Sequence, residues 1–175
     1  MPPRVRKNGH MAKKHEVGAT PAVHALVEAG IAHTLHPYDH DPASELGYGL
    51  EAAAAIGVDA DQVFKTLCAY VDGRLCVGIV PVSGMLDLKA LAAAFGGKRA
   101  EMAPPADAER SSGHVVGGIS PIGQRRPLPT ALDETAQLFD VIYVSGGRRG
   151  LDIGLAPADL VRITGAVLAP IAKEN

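Results

Sequence analysis

The stretch Val115-Val116-Gly117-Gly118-Ile119-Ser120-Pro121-Ile122-Gly123-Gln124-Arg125-Arg126 concentrates residue types suited to a phosphate-bearing ligand. Glycine has no Cβ, so the backbone N–H groups of Gly117 and Gly118 can approach a ligand closely. The planar forks of Arg125 and Arg126 suit phosphates and flat groups. Together they describe a backbone-lined pocket with a basic rim. The competing reading is a glycine turn beside solvated arginines. Ser145-Gly146-Gly147-Arg148-Arg149-Gly150 repeats the combination after a second apolar run. It lacks the Gly-Lys-Ser/Thr of a P-loop, and a strand is expected where a P-loop requires a helix. Loop turn and ligand rim both remain open for it.

Lys65 is the next candidate. Phe64–Val71 and Arg74–Pro81 flank Asp72-Gly73, a strong two-residue hairpin signal. In that register Val71 faces Arg74, Ala69 faces Cys76 and Cys68 faces Val77. One face (Phe64, Thr66, Cys68, Tyr70, Leu75, Val77, Ile79) reads as core. The other (Val63, Lys65, Leu67, Ala69, Cys76, Gly78, Val80, Val82) is also mostly apolar, so it too must be covered. Lys65 is the charge inside that second face, with Gly78 expected to leave room near it. Its ammonium either aims into a pocket or snorkels to water. Cys68 and Cys76 fall on opposite faces, which argues against a disulfide and for two buried thiols in a reducing compartment.

Other chemistry is less well supported. His36-Pro37-Tyr38-Asp39-His40-Asp41-Pro42 is dense in potential ligands. No partner cluster accompanies it, so a surface loop with Tyr38 as a pocket wall is expected rather than a metal site. No Gly-x-Ser-x-Gly elbow supports a serine or cysteine nucleophile. No metal and no cofactor is expected.

The positioning elements read as mixed. Helices are expected over Thr20/Pro21–Ala29, Leu50–Ile56, Asp87–Phe95, Pro105–Ser111 and Pro157–Ile163. Strands are expected over Ile31–His36, the Asp72-Gly73 hairpin, Lys98–Met102, Ala131-Leu132, Val141–Val144 and Leu151–Leu155. Strands joined by short turns and interspersed with helices give an α/β chain of α+β character: a mixed, largely antiparallel sheet or barrel flanked by helices. At 175 residues one domain is expected, over residues 17–175, after a basic disordered tail over 1–16 in which Met11 is an alternative start. The formal net charge of −2 excludes a bulk polyanion binder, so any nucleic-acid contact is a local basic patch. No membrane span or signal peptide is read, and cytoplasm is the expected compartment.

Five motifs in order then carry a resemblance: Thr20-Pro21-Ala22, Tyr38-Asp39-His40-Asp41-Pro42, Phe64-Lys65-Thr66-Leu67, Val116–Gln124, and Ile142–Leu151. From about Thr20 to Leu168 the chain resembles the YbaK branch of the freestanding prolyl-tRNA-editing domain family, the Cys-tRNA(Pro) deacylases. The resemblance implies a mixed β-barrel flanked by helices. It also implies a trans-editing hydrolase that cleaves cysteine from the 3′ adenosine of mischarged tRNA(Pro), with the substrate's own thiol as nucleophile. By that resemblance Gly117 and Gly118 supply backbone donors at the ester, and Lys65 binds the terminal nucleotide or orients the substrate. Tyr38, Thr66, Ser145 and Asp152 line the pocket, and Tyr48 forms an aromatic wall. Charge alone assigns Arg125, Arg126, Arg148 and Arg149 to the tRNA backbone. The expected partner is aminoacyl-tRNA(Pro), with prolyl-tRNA synthetase as a further candidate and neither membrane nor DNA. Two other readings stand beside it: Ala-tRNA(Pro) deacylation, and a non-catalytic module that binds aminoacyl-tRNA or the synthetase.

Overall fold

A turn sets the register of the central sheet. Asp72 and Gly73 both take positive φ (47° and 82°), the conformation a two-residue hairpin needs to match strand twist. They join β2 (Phe64–Val71) to β3 (Arg74–Pro81), with Val71 opposite Arg74, Cys68 opposite Val77 and Lys65 opposite Val80, as the sequence predicts. The computed structural model describes residues 19–175, and the tail expected over 1–16 lies outside them. With β5 (Ala100–Met102), β6 (Thr130–Asp133) and β9 (Val167–Ala169), the hairpin forms a five-stranded sheet in the order β5-β2-β3-β6-β9. β2 pairs antiparallel with β3 and β5, whereas β3–β6 and β6–β9 are parallel, so the sheet is mixed.

A second, antiparallel sheet has the order β1-β8-β7, from β1 (Thr34–Pro37), β7 (Ile142–Ser145) and β8 (Leu151–Leu155). A two-stranded sheet pairs β4 (Gly84–Leu86) with β10 (Ala172–Glu174). Among the described residues these are three separate sheets rather than a closed barrel. A single parallel bridge, Val63 to Tyr143, ties the first sheet to the second.

Both faces of the hairpin are covered, as its apolar pattern requires. Phe64, Cys68, Val77 and Ile79 enter a large core with Leu26, Ile122, Ile142, Leu151 and Leu160. Ala69, Val71, Cys76 and Val80 pack on the other side with Leu86, Leu91 and Ile171. The room expected at Gly78 for Lys65 is taken instead by Leu86, whose Cδ1 lies 2.9 Å from where a Cβ would stand. Both cysteines are free and buried.

Among the described residues, five α-helices flank the sheets: α1 (Pro21–Glu28), α2 (Tyr48–Ile56), α3 (Leu88–Ala94), α4 (Pro105–Ser112) and α5 (Pro157–Thr164). Thr20 caps α1 by accepting the Val23 N–H while donating to Gly146 O at 2.6 Å, which fixes the helix start on the second glycine-arginine loop. Asp87 caps α3 through the Ala90 N–H. The C-terminal segment is held by Asp133, 2 % exposed, whose Oδ1 accepts the N–H groups of Ile171 and Ala172 and whose Oδ2 accepts that of Thr135.

Candidate functional site

The hairpin and the second sheet enclose a cavity of about 490 Å³. It runs along β2. Near Val63 the strand is bridged to Tyr143 of β7, and there the walls are Tyr38, Ser145 and Asp152. Near Cys68 it meets β5 and α4, and there the walls are Met102, Ala103, Pro105 and Ala108. One arm is therefore polar and the other apolar.

Asp152 dominates the polar arm. It lies on the central strand β8, between His36 and Ser145 in register. It is 5 % exposed, and its carboxyl has no hydrogen-bond or ion-pair partner among the described residues. Burial pushes its carboxyl up from 3.8 to about 7. Tyr38 beside it is pushed up to about 12, first by burial and then by the charges of Asp152 and Glu51. Lys65 lines the same cavity, its ammonium without an ion pair or hydrogen bond among the described residues, and burial lowers its pKa. The cavity thus holds a half-buried ammonium and a buried carboxyl, neither with a side-chain partner among the described residues. Thr66 Oγ1 is likewise buried without a partner. Ser145 Oγ accepts the Gly147 N–H at 3.3 Å and so also holds its own loop.

Tyr48, the first residue of α2, forms the wall at the mouth. The ring of His40 lies 4.9 Å away, and the Arg149 guanidinium sits 5.5 Å above it. Glu51 fixes the preceding loop by accepting from His40 Nδ1 at 3.1 Å and the Asp41 N–H at 2.7 Å. Gly117 packs on the same ring: at φ +88°, a Cβ there would lie 2.7 Å from Tyr48. The Gly117 N–H has no hydrogen-bond partner among the described residues, and Gly117 is one of the residues that line the cavity.

The two glycines therefore divide. Gly118 does not line the cavity: its N–H donates to Val115 O at 2.9 Å, and its α-carbon packs on the Arg148 backbone, where a Cβ would be 2.5 Å from the carbonyl carbon. The donor role expected of it is taken up by the turn. The four arginines divide too. Arg149 Nε donates to Val116 O at 2.9 Å, bracing one glycine loop against the other at the mouth. Arg148 Nη1 donates to Arg149 O. Arg125 and Arg126 are exposed and do not line the cavity, with their N–H groups tied to Ser112 O and Ser111 O at the end of α4. Lys65, Gly117, Tyr38, Tyr48, Thr66, Ser145 and Asp152 converge on one cavity. Sequence reasoning missed its apolar arm, although Pro104-Pro105, which cannot continue a ladder, was a legible signal.

The described residues contain no group of three or more His, Cys, Asp or Glu placed to hold a metal ion, and no described helix is long and apolar enough to cross a membrane.

Comparison with known proteins bears on the family and the fold. A protein of Enterococcus faecalis provisionally named Cys-tRNA(Pro)/Cys-tRNA(Cys) deacylase EbsC is 38% identical over 124 residues, 70% of this chain and 76% of its own. Two solved structures share the fold at 23% identity. Hypothetical protein APE2540 has a TM-score of 0.77 and matches 87% of this chain and 99% of its own. A protein provisionally described as a trans-editing enzyme for prolyl tRNA synthetase has a TM-score of 0.71 and matches 95% and 98%. The aminoacyl-tRNA editing domain family matches residues 48–163, a span that carries Tyr48, Lys65, Thr66, Gly117, Ser145 and Asp152. The chain belongs to the aminoacyl-tRNA editing domain family.

Proposed function

We propose that the protein is a trans-editing hydrolase that removes cysteine from mischarged tRNA(Pro). The observation that carries this is that Lys65 and Asp152, whose charged groups have no partner among the described residues, line one cavity together with Gly117. An aminoacyl ester at a tRNA 3′ end offers matching groups: an α-ammonium for Asp152, a terminal nucleotide for Lys65, and a carbonyl oxygen for the Gly117 N–H. A donor fixed where negative charge develops costs no reorganisation during reaction.

The cavity offers no activated nucleophile of its own. Burial raises the Cys68 thiol above its ordinary value. Ser145 has no histidine beside it in the cavity lining. The substrate's cysteine supplies what is missing. Its thiol, with an ordinary pKa near ~8.5, gives thiolate at neutral pH. The sulfur attacks the carbonyl carbon of its own ester, the carbon–oxygen bond to the ribose breaks, and the ribose oxygen takes a proton as tRNA leaves. Water then opens the cyclic thioester to free cysteine. The protein contributes orientation and oxyanion stabilisation. A synthetase that activates proline rejects the similarly sized cysteine poorly, which is why a second site is needed. The cytoplasm, where translation takes place, is the proposed compartment.

The test is hydrolysis of Cys-tRNA(Pro), Ala-tRNA(Pro) and Pro-tRNA(Pro) side by side, with Lys65→Ala as control. Cleavage of the cysteine ester alone, lost in a folded Lys65→Ala protein, is expected. Equal cleavage of the alanine ester removes the thiol from the mechanism, and tRNA binding with no turnover makes the chain a binding module.

A further inference from the structure

The cavity is lined by Phe64, Lys65, Thr66, Leu67 and Cys68 in unbroken succession. Successive side chains of a strand point to opposite faces. Five in a row can line one cavity only where it runs along the strand's edge and touches main chain. That edge is free because β5 stops. Its register ends at Ala69 opposite Met102, and the Ala103 N–H reaches Cys68 O at 3.0 Å. Pro104-Pro105 then ends the ladder, since proline has no N–H, and turns the chain into α4.

The register shows which groups point outward. Across a two-residue turn Val71 and Arg74 exchange both hydrogen bonds, so Val71, Ala69, Leu67 and Lys65 bond to β3 while Tyr70, Cys68 and Thr66 face away. The bond from the Ala103 N–H to Cys68 O fits this alternation, as does that from Val82 N–H to Val63 O at 2.8 Å. Thr66 is the next outward residue and has no strand opposite it. By that alternation its N–H and C=O point away from β3, beyond the last residue paired with β5, and its Oγ1 is buried with no hydrogen-bond partner among the described residues. Leu67, Met102, Ala108 and Ile119 give the arm apolar walls.

We infer that the apolar arm is an adenine subsite in which the Thr66 main chain hydrogen-bonds the base, its C=O accepting from the N6 amine and its N–H donating to N1. This rests on the aminoacyl-ester reading and names the end group of that substrate. A flat base fits between apolar walls, and adenine carries one donor and one acceptor side by side on one edge. An added peptide strand does not fit. The free edge presents a single full outward residue and is closed by Ala103 at one end and by the Val63–Tyr143 bridge at the other. The cavity volume of about 490 Å³ suits a small ligand rather than a chain, and the polar arm continues from the base toward Lys65 and Asp152.

Two measurements test it. The first compares cysteinyl esters of tRNA ending in adenosine, purine riboside or inosine. Purine riboside lacks the N6 donor and should raise KM about fivefold, the value of one net hydrogen bond, with kcat unchanged. Inosine sets an acceptor against the Thr66 C=O and should raise KM further. Equal KM for all three overturns the subsite and leaves the editing function standing. The second is amide NMR of the protein titrated with adenosine monophosphate. A saturable shift of the Thr66 amide, absent with inosine monophosphate, is expected. If no ester is hydrolysed yet that shift occurs, the editing function fails and the subsite stands; no shift, or the same shift with both nucleotides, overturns it.

Discussion

Asp152→Asn should make the protein more stable and less active. The wild-type carboxyl titrates at about 7 against an ordinary 3.8. At about 1.36 kcal/mol per unit, charging it in the folded state costs roughly 4 kcal/mol. Water entering the ligand-free cavity relieves part of this, so about 2 kcal/mol is the working figure. The sign follows from linkage. A folded-state pKa above the unfolded one gives stability that is whole below about pH 4 and lost as pH rises through 7. Asparagine has no such charge to bury. Thermal unfolding of both proteins should therefore coincide at pH 4 and separate by pH 8, with Asp152→Asn higher by about 4–8 °C for a chain of this size. Hydrolysis of the cysteine ester should fall sharply in the same variant, because the α-ammonium has lost its anion. An Asp152→Asn protein that melts below wild type at pH 8 would show that the carboxylate already has a partner, and the charge-vacant cavity would fail with it.

Gly117→Ala places a methyl 2.7 Å from the Tyr48 ring at a φ of +88°; a loss of about 1–3 kcal/mol in unfolding and a displaced Tyr48, seen as reduced kcat/KM, are expected. Asp133→Ala strips three backbone N–H groups of their acceptor far from the cavity. It should cost about 3 kcal/mol and lower the melting temperature by roughly 10 °C, with KM unchanged at a temperature where the variant is folded. Arg149→Ala removes the brace to Val116 O and the cation over Tyr48, and should raise KM for a cysteinyl-adenosine ester. Arg125→Ala combined with Arg126→Ala should leave that small ester unaffected and weaken only full-length tRNA, with a shallower salt dependence in a binding titration.

The hairpin was legible because a two-residue Asp-Gly turn dictates pairing locally, and from it followed the faces of Cys68, Cys76 and Lys65. The helices with polar caps or N-terminal prolines were equally readable. What escaped depends on distant partners. β4, β9 and β10 are three residues each and exist through pairing with β10, β6 and β4 across the chain. β1 begins at Thr34 rather than Ile31, because the Ile31 N–H closes the end of α1 onto Leu26 O and its side chain joins the core. Gly78 and Gly118 show the limit most clearly. A glycine announces that something comes close, and here the neighbours were Leu86 and the Arg148 backbone rather than a ligand. The burial of the Asp152 carboxyl without a hydrogen-bond partner depends on which strands flank β8, which no local pattern encodes.

The cross-brace between the two glycine-arginine loops restricts how this pocket can be remodelled. With Gly118 seated against Arg148 and Arg149 hooked to Val116, transplanting either loop alone from a relative would lever the other out of place. Exchange of selectivity should travel instead through interchangeable side chains such as Met102 and Ala103, which can grow or shrink without disturbing any backbone crossing.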